Sequence, residues 1–358
     1  MSRVLVMAGG TGGHVFPALA VADLLREQGH EVEWLGTAQR IEARVVPQAG
    51  IKLNTISVEG VRGKSKLSLL LAPFKMLKAV WQAREVVRRF NPDVVLGMGG
   101  FASGPGALAA YLQGSPLVIH EQNAIAGVTN TQSRRFALRV LQAFPEAFKS
   151  GEQGEVVGNP IRGPILQLPA PAQRFAGREG PLRLLVVGGS LGALAINELV
   201  PEVLARIPED QRPHVWHQAG ETHLDATLAA YQAAGVQADV VPFISAMDEA
   251  YAWADLVICR AGALTVSEIA IAGVAALFVP YPFAVDDHQS ANAAHLVEAG
   301  AAGLIAQREL TNERLLDWLK QHNSREQLLA MAERAREQGR PDAGQRVADI
   351  CLEVCRES

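Results

Sequence analysis

The stretch Met7–Ala18 reads MAGGTGGHVFPA, with four glycines around Thr11 and His14 directly after them. It follows the apolar run Val4-Leu5-Val6, so the glycines fall in a turn between a strand and a helix. Glycines admit positive φ and close backbone approach, and the N–H groups at the following helix start favour anions. Neutral imidazole is the usual general base near pH 7, which makes His14 a candidate for moving a proton. Two plainer readings compete with these. The glycines also suit an ordinary tight turn, and a histidine in a first helical turn is often only a surface residue. Val15 stands where the third glycine of a dinucleotide fingerprint would be, so the loop departs from that pattern.

Other stretches carry similar chemistry. GGSLGA, 188–193, is a second glycine loop after a strand, and GMGGFASGPG, 97–106, is a third. CRAGALTVSEIAIAG, 259–273, places Thr265 and Ser267 at a helix start and Glu268 in its first turns. A carboxylate there accepts two ribose hydroxyls, or simply complements the helix dipole. IHEQNAIAG, 119–127, sets His120, Glu121, Gln122 and Asn123 in succession at a strand end. PYPFAVDDHQSANA, 280–293, offers Asp286, Asp287, His288 and Gln289 to a sugar, or to the cap of the helix that follows. No spaced Asp-x-Asp pair is present, so the sequence does not indicate a metal clamp on a diphosphate.

The elements that must position these residues alternate along the chain. Strands are expected at Arg3–Met7, Val32–Leu35, Val94–Gly97, Leu117–His120, Arg183–Val187, Asp239–Phe243, Leu256–Cys259 and Ala276–Val279. Several are continuous apolar runs, the mark of parallel strands buried on both faces, and helix-period stretches separate them. RVLVMAGGTGGHVFPALAVADLL from Arg3 is echoed by RLLVVGGSLGALAINELVPEVL from Arg183, and the stretch from Pro92 by that from Ala254. Two Rossmann-like domains explain this repeat, with the Pro/Gly-rich segment 158–173 as linker. An amphipathic helix follows a break near Gly339-Arg340-Pro341 and suits either domain. The 358 residues fit two domains, and a net charge of −4 argues against a general nucleic-acid binder. Only three cysteines occur, Cys259, Cys351 and Cys355, an odd and sparse count in no zinc-binding pattern that suits a reducing compartment. Neither a signal peptide nor a membrane span is expected.

Residues 62–89 are the exception to this charge balance. Eight Lys/Arg stand there against Glu85, which gives the segment +7 and leaves −11 for the rest. Met76, Val80, Ala83, Val87 and Phe90 form one apolar stripe expected to face the core. Leu70, Phe74, Leu77 and Trp81 form a second, flanked by Lys78, Arg84 and Arg88. That second stripe suits an anionic membrane surface or a neighbouring protein element.

Taken in order, GGTGGHVFPALA, GMGGFASGPG, IHEQNAIAG, GNPIRG, GGSLGA and ICRAGALTVSE resemble the MurG family over nearly the whole chain. These are the UDP-GlcNAc:undecaprenyl-pyrophosphoryl-MurNAc-pentapeptide GlcNAc transferases of peptidoglycan synthesis. The resemblance implies an α/β GT-B fold, two Rossmann-like domains with parallel sheets facing across a cleft. It implies an N-terminal acceptor and membrane-association domain, 1–160 joined by helix 341–358, and a UDP-GlcNAc-binding domain, 161–340. The implied reaction is inverting transfer of GlcNAc to the C4 hydroxyl of MurNAc in lipid I, with no cofactor. The implied location is peripheral, on the cytoplasmic face of the inner membrane.

Carried to matching positions, the donor contacts are Thr11, Gly12, Gly13, Asn123, Arg162, Ser190, Ile244, Ala263, Leu264, Thr265, Val266, Ser267, Glu268 and Gln289. Glu268 would hold the ribose, Ile244 would lie near uracil, and Gln289 or its neighbour His288 would face the sugar. Gly12, Gly13, Gly99 and Gly100 would meet the acceptor pyrophosphate. His14 is the first candidate base and Glu121 the second. Phe101 stands where the family often has tyrosine, and Leu191 where glutamine is common. The rival readings are another GT-B UDP-sugar enzyme, such as an epimerase, and an NAD-dependent oxidoreductase. The latter expects an acid after the second strand, where Thr37-Ala38-Gln39 stands.

Overall fold

The structure is a computed structural model that describes residues 1–58, 72–148, 154–189, 192–282 and 287–357. Ser190, Leu191, Leu70 and Asp286 of the sequence reading lie outside them, as do the basic residues Arg62, Lys64 and Lys66. The chain forms two compact units, Met1–Arg162 with Pro341–Ser358, and Gly163–Arg340.

The first unit is built on seven parallel strands: β1 Arg3–Met7, β2 Glu31–Gly36, β3 Lys52–Thr55, β4 Val94–Gly97, β5 Leu117–Glu121, β6 Arg139–Gln142 and β7 Glu155–Val156. Their order is β3-β2-β1-β4-β5-β6-β7. Val4 to Met7 are wholly buried because β1 is central and covered on both faces, which is why its sequence is a continuous apolar run. Met7 pairs with Leu35 on one side and Gly97 on the other, so the loops after β1 and β4 leave the sheet at one level.

The second unit repeats this plan with β8 Arg183–Val187, β9 His214–Gln218, β10 Asp239–Val241, β11 Leu256–Cys259, β12 Ala275–Phe278 and β13 Ala302–Leu304. The order is β10-β9-β8-β11-β12-β13, again all parallel, and Val187 pairs with Cys259. The internal repeat read from the sequence is therefore a repeat of one sheet topology.

Five strands escaped the sequence reading: β3, β6, β7, β9 and β13. They are short, or carry polar residues where a buried run was sought; β9, HVWHQ, holds two histidines and a glutamine. The Pro/Gly-rich linker is also less bare than its composition suggests. It holds the unit boundary at Arg162, one short helix, Gly163–Leu166, and the start of a second, Pro171–Phe175.

The C-terminal helix Ala343–Glu357 packs into the first unit, where Val347, Ile350, Cys351 and Val354 join the cluster of Val21, Ala22 and Leu25. Burying each of its larger aliphatic side chains contributes about 2 kcal/mol. The helix Ala72–Phe90 buries Ala79, Val80, Ala83, Val86, Val87 and Phe90. Met76, expected on that stripe, is instead 48% exposed, because the core-facing stripe begins only at Ala79.

Candidate active site

Open parallel sheets bind ligands beyond the strand carboxyl ends, at the point where strand order reverses. In the first unit that point lies between β1 and β4, and the two glycine loops flank it. Gly9 and Gly100 are in direct backbone contact: a Cβ on Gly100, whose φ is +88°, would stand 2.1 Å from the Gly9 carbonyl oxygen. Glu42, wholly buried, secures the loop from the other side. Its Oε2 accepts the Gly10 N–H at 3.0 Å, and its Oε1 accepts from the Thr37 N–H at 3.1 Å and the Thr37 hydroxyl at 2.6 Å. Trp34 Nε1 donates to the Ala8 carbonyl at 2.8 Å, and Ser103 Oγ donates to the carbonyls of Met7 and Gly99.

On this frame the helix Gly12–Glu27 begins, and its first turn carries Gly12, Gly13 and His14 behind Thr11. The His14 ring reaches across the end of β4, with Nδ1 2.8 Å from Gln122 Oε1. Gly99 makes room for it, since a Cβ there would lie 3.0 Å from the His14 ring atoms Cε1 and Nδ1. His120, also wholly buried, extends the contact inward. Its Nε2 lies 2.8 Å from the Gly158 carbonyl and its Nδ1 3.0 Å from Gln122 Nε2. Burial pushes the His120 imidazole down to about 4, so it is neutral near pH 7.

Glu121 sits differently from His14. Its Oε1 accepts from the Asn123 N–H and Nδ2, and its Oε2 from the Gly127 N–H and Asn130 Nδ2. Four donors on one buried carboxylate tie the loop 121–127 to the helix Val128–Ser133. Asn123 is held in that network, and the Arg162 guanidinium stands 5.3 Å from the centre of the Phe16 ring.

In the second unit the reversal lies between β8 and β11. Gln218, at the end of β9, bridges two loops there: Nε2 donates to the Gly189 carbonyl at 2.9 Å and Oε1 accepts the Ile244 N–H at 3.1 Å. Beneath it, the buried His217 lies between the Tyr231 hydroxyl at 2.9 Å and Asn197 Oδ1 at 3.0 Å. Burial pushes its imidazole down to about 3.

Gly262 is the extended N-cap of the helix Ala263–Ala272, which carries Ala263, Leu264, Thr265, Val266, Ser267 and Glu268. Glu268 is buried, and Oε2 accepts from the Tyr251 hydroxyl at 3.0 Å. Gln289 Oε1 accepts the N–H groups of Tyr281 at 2.8 Å and Ala261 at 3.3 Å. Its amide oxygen thus ties together the loops after β11 and β12.

The family model for the glycosyltransferase family 28 N-terminal domain matches residues 4–142, and that for its C-terminal domain matches residues 183–347. The chain belongs to glycosyltransferase family 28. Among family 28 relatives, the UDP-N-acetylglucosamine--N-acetylmuramyl-(pentapeptide) pyrophosphoryl-undecaprenol N-acetylglucosamine transferase of Marinobacter nauticus is 55% identical over 98% of this chain and 97% of its own. The protein of the same name from Alkalilimnicola ehrlichii is 57% identical over 99% of both chains. The crystal structure of Acinetobacter baumannii MurG is 44% identical, with a TM-score of 0.86 over 99% of this chain and 100% of that one. The fold is GT-B, with one Rossmann-like sheet in each unit.

Within this family 28 fold, the sequence-read residues gather by unit. Thr11, Gly12, Gly13, His14, Gly99, Gly100, Glu121, Asn123 and Arg162 belong to the first, and Ile244, Ala263–Glu268 and Gln289 to the second. Sequence reasoning missed Glu42, Tyr251 and Gln218, and gave Gln122 no role. Gln122 had a signal in the run of four polar residues at a strand end. Glu42 had none, because a carboxylate opening a short helix looks like an ordinary dipole partner.

Proposed function

We propose that this enzyme transfers GlcNAc from UDP-GlcNAc to the C4 hydroxyl of MurNAc in undecaprenyl-linked lipid I, with inversion, giving lipid II and UDP. The observation that carries this reading is full-length identity above one half to transferases of that name, on a chain whose glycine loops flank both strand-order reversals. The hydroxyl oxygen attacks the anomeric carbon opposite the diphosphate. The carbon–oxygen bond to UDP breaks, and its electron pair leaves on the β-phosphate. The hydroxyl proton passes to His14 Nε2. We assign the base to His14 rather than Glu121, whose carboxylate is already occupied by four donors.

On the donor side, Glu268 holds the ribose, with Tyr251 steadying one carboxylate oxygen, and Ile244 lies by uracil. The turn Ala263–Val266 and Ser190 meet the phosphates, and Ser267 adds a hydroxyl in the same turn. The Gln289 amide N–H groups serve the sugar hydroxyls, because its oxygen is engaged by Ala261 and Tyr281. Thr11, Asn123 and Arg162 add donor contacts from the first unit, while Gly12, Gly13, Gly99 and Gly100 receive the acceptor pyrophosphate.

The acceptor is a membrane lipid, and the helix Ala72–Phe90 suits a peripheral approach to it. Phe74, Leu77 and Trp81 are about 70% exposed, beside exposed Lys78, Arg84 and Arg88. Among the described residues, no helix is long and apolar enough to cross a membrane. We assign this face to the anionic cytoplasmic surface of the inner membrane, where each basic residue contributes about 1 kcal/mol.

Radiolabel from UDP-[14C]GlcNAc is expected in the lipid product when a lipid I analogue is supplied. Label that never enters lipid while UDP binds overturns the reading. Conversion of the sugar nucleotide without any lipid makes the enzyme an epimerase instead. Phe74→Glu with Trp81→Glu is expected to abolish binding to phosphatidylglycerol vesicles and spare reaction with a water-soluble acceptor. Equal loss in both assays overturns the membrane assignment.

A further inference from the structure

A histidine can act as base only through the ring nitrogen that lacks a proton, so the His14 tautomer decides whether it works. Free imidazole side chains in water favour the proton on Nε2, the nitrogen the proposed reaction needs bare. The contacts behind His14 reverse that preference.

The Gly158 carbonyl can only accept, so His120 Nε2, 2.8 Å away, carries a proton. His120 is neutral in its dry setting, so its Nδ1 is a lone pair and must accept from Gln122 Nε2 at 3.0 Å. The same amide nitrogen also faces the His120 backbone carbonyl at 3.1 Å, a second acceptor. Both contacts turn the nitrogen end of the Gln122 amide inward and its oxygen toward His14. That oxygen, 2.8 Å from His14 Nδ1, accepts a proton held there. A flipped amide would set Oε1 against a lone pair and a carbonyl oxygen in a buried place, leaving acceptors facing one another with no proton between them.

The backbone on which this chain of contacts rests is itself secured. Asn130 Nδ2 donates to the His120 carbonyl at 3.1 Å, and Asn159 Nδ2 to the Gln122 carbonyl at 3.0 Å.

We infer that Gln122 and His120 are positioning residues that hold His14 in the Nδ1–H tautomer, leaving the Nε2 lone pair for the acceptor hydroxyl. The inference rests on the reading of His14 as base. The Gly158 carbonyl is the fixed end of the relay, and each step reads the polarity of the one before. Neither residue touches the reacting atoms. A base offered with its proton on the wrong nitrogen is idle: the corresponding error in a Ser-His-Asp triad lowers turnover by about 10⁴.

The test is nitrogen-15 NMR of protein labelled in its histidine rings, with the His14 signals assigned by their loss in His14→Gln. In the wild-type protein above pH 7, His14 is expected to show a protonated Nδ1 and a bare Nε2. In Gln122→Met the two nitrogens are expected to approach the averaged shifts of exchanging tautomers. Its kcat should fall about 10- to 100-fold, with KM for UDP-GlcNAc changed less than about twofold. A wild-type His14 protonated on Nε2 overturns the inference whether or not the Gln122 variant folds. So does a Gln122→Met protein in which the Nδ1–H tautomer persists. Should His14→Gln retain kcat and raise only KM, the base assignment fails, while the tautomer measurement stands on its own.

Discussion

The Glu42 carboxylate accepts the backbone N–H of Gly10 at 3.0 Å, from a helix 32 positions further along the chain. The same carboxylate takes the N–H and hydroxyl of Thr37, so it joins the first glycine loop to the end of β2. Gly9 must lack a side chain for this to occur, because a Cβ there would stand 2.5 Å from Glu42 Oε1. Glu42→Ala leaves three donors without their acceptor, the two of Thr37 buried and that of Gly10 partly so, and is expected to cost about 2–4 kcal/mol by urea unfolding. In the protein that remains folded, KM for the lipid acceptor should rise more than KM for UDP-GlcNAc. Wild-type stability and kinetics in that variant would remove Glu42 from the frame of the loop.

Gly99 and Gly100 share φ values of +88°, yet substitution should separate them. A Cβ on Gly99 meets the His14 ring, a side chain that can move aside. Gly99→Ala is therefore expected to stay folded and lose turnover by about 10-fold or more, with about 1 kcal/mol of backbone strain. On Gly100 the Cβ meets the Gly9 backbone and nothing there can yield. Gly100→Ala should lower Tm severely or fail to fold, as circular dichroism melting will report. Equal loss of turnover at equal stability in both variants would contradict this division.

Tyr251 and Glu268 form a graded pair. Glu268→Ala removes the carboxylate and is expected to weaken UDP binding about 100-fold, in line with about 1.5–3 kcal/mol for each hydrogen bond to a charged group. Tyr251→Phe removes only the hydroxyl that steadies Oε2, and should weaken it about 3- to 10-fold. Titration calorimetry with UDP orders the two. A Tyr251→Phe loss as large as that of Glu268→Ala would make the tyrosine a direct ligand.

His120 and His217 make stability depend on pH. Burial lowers both imidazoles, to about 4 and about 3, from the ordinary value near 6.5. Above pH 6.5 both states are neutral and the folded protein keeps its full stability. Below 6.5 the unfolded chain takes up protons that the folded chain refuses, so stability falls as pH drops toward the folded-state values. Each histidine contributes a slope of about 1.4 kcal/mol per pH unit in that window. Urea unfolding at pH 7.5, 6 and 5 should show the decline, and His217→Phe should flatten it by about one proton. A slope unchanged in that variant would mean His217 is protonated in the folded state.

The sequence alone determined the α/β class, the doubled Rossmann plan and the loops that bear the chemistry. These rest on local signals: continuous apolar runs for strands buried on both faces, glycines where a strand turns into a helix, and a unit that occurs twice. His14, Glu268 and the glycine loops were legible because their types and local settings already narrow what they can do. The tertiary structure decided what stands behind them. Glu42 under Gly10, Gly99 beside the His14 ring and Tyr251 on Glu268 are separated along the chain, and no local pattern registers such pairs. Gln122 and His120 show the difference most plainly, since both were visible as polar residues at a strand end. Only the fold, by placing the Gly158 carbonyl at one end and His14 at the other, gave their hydrogen bonds a direction.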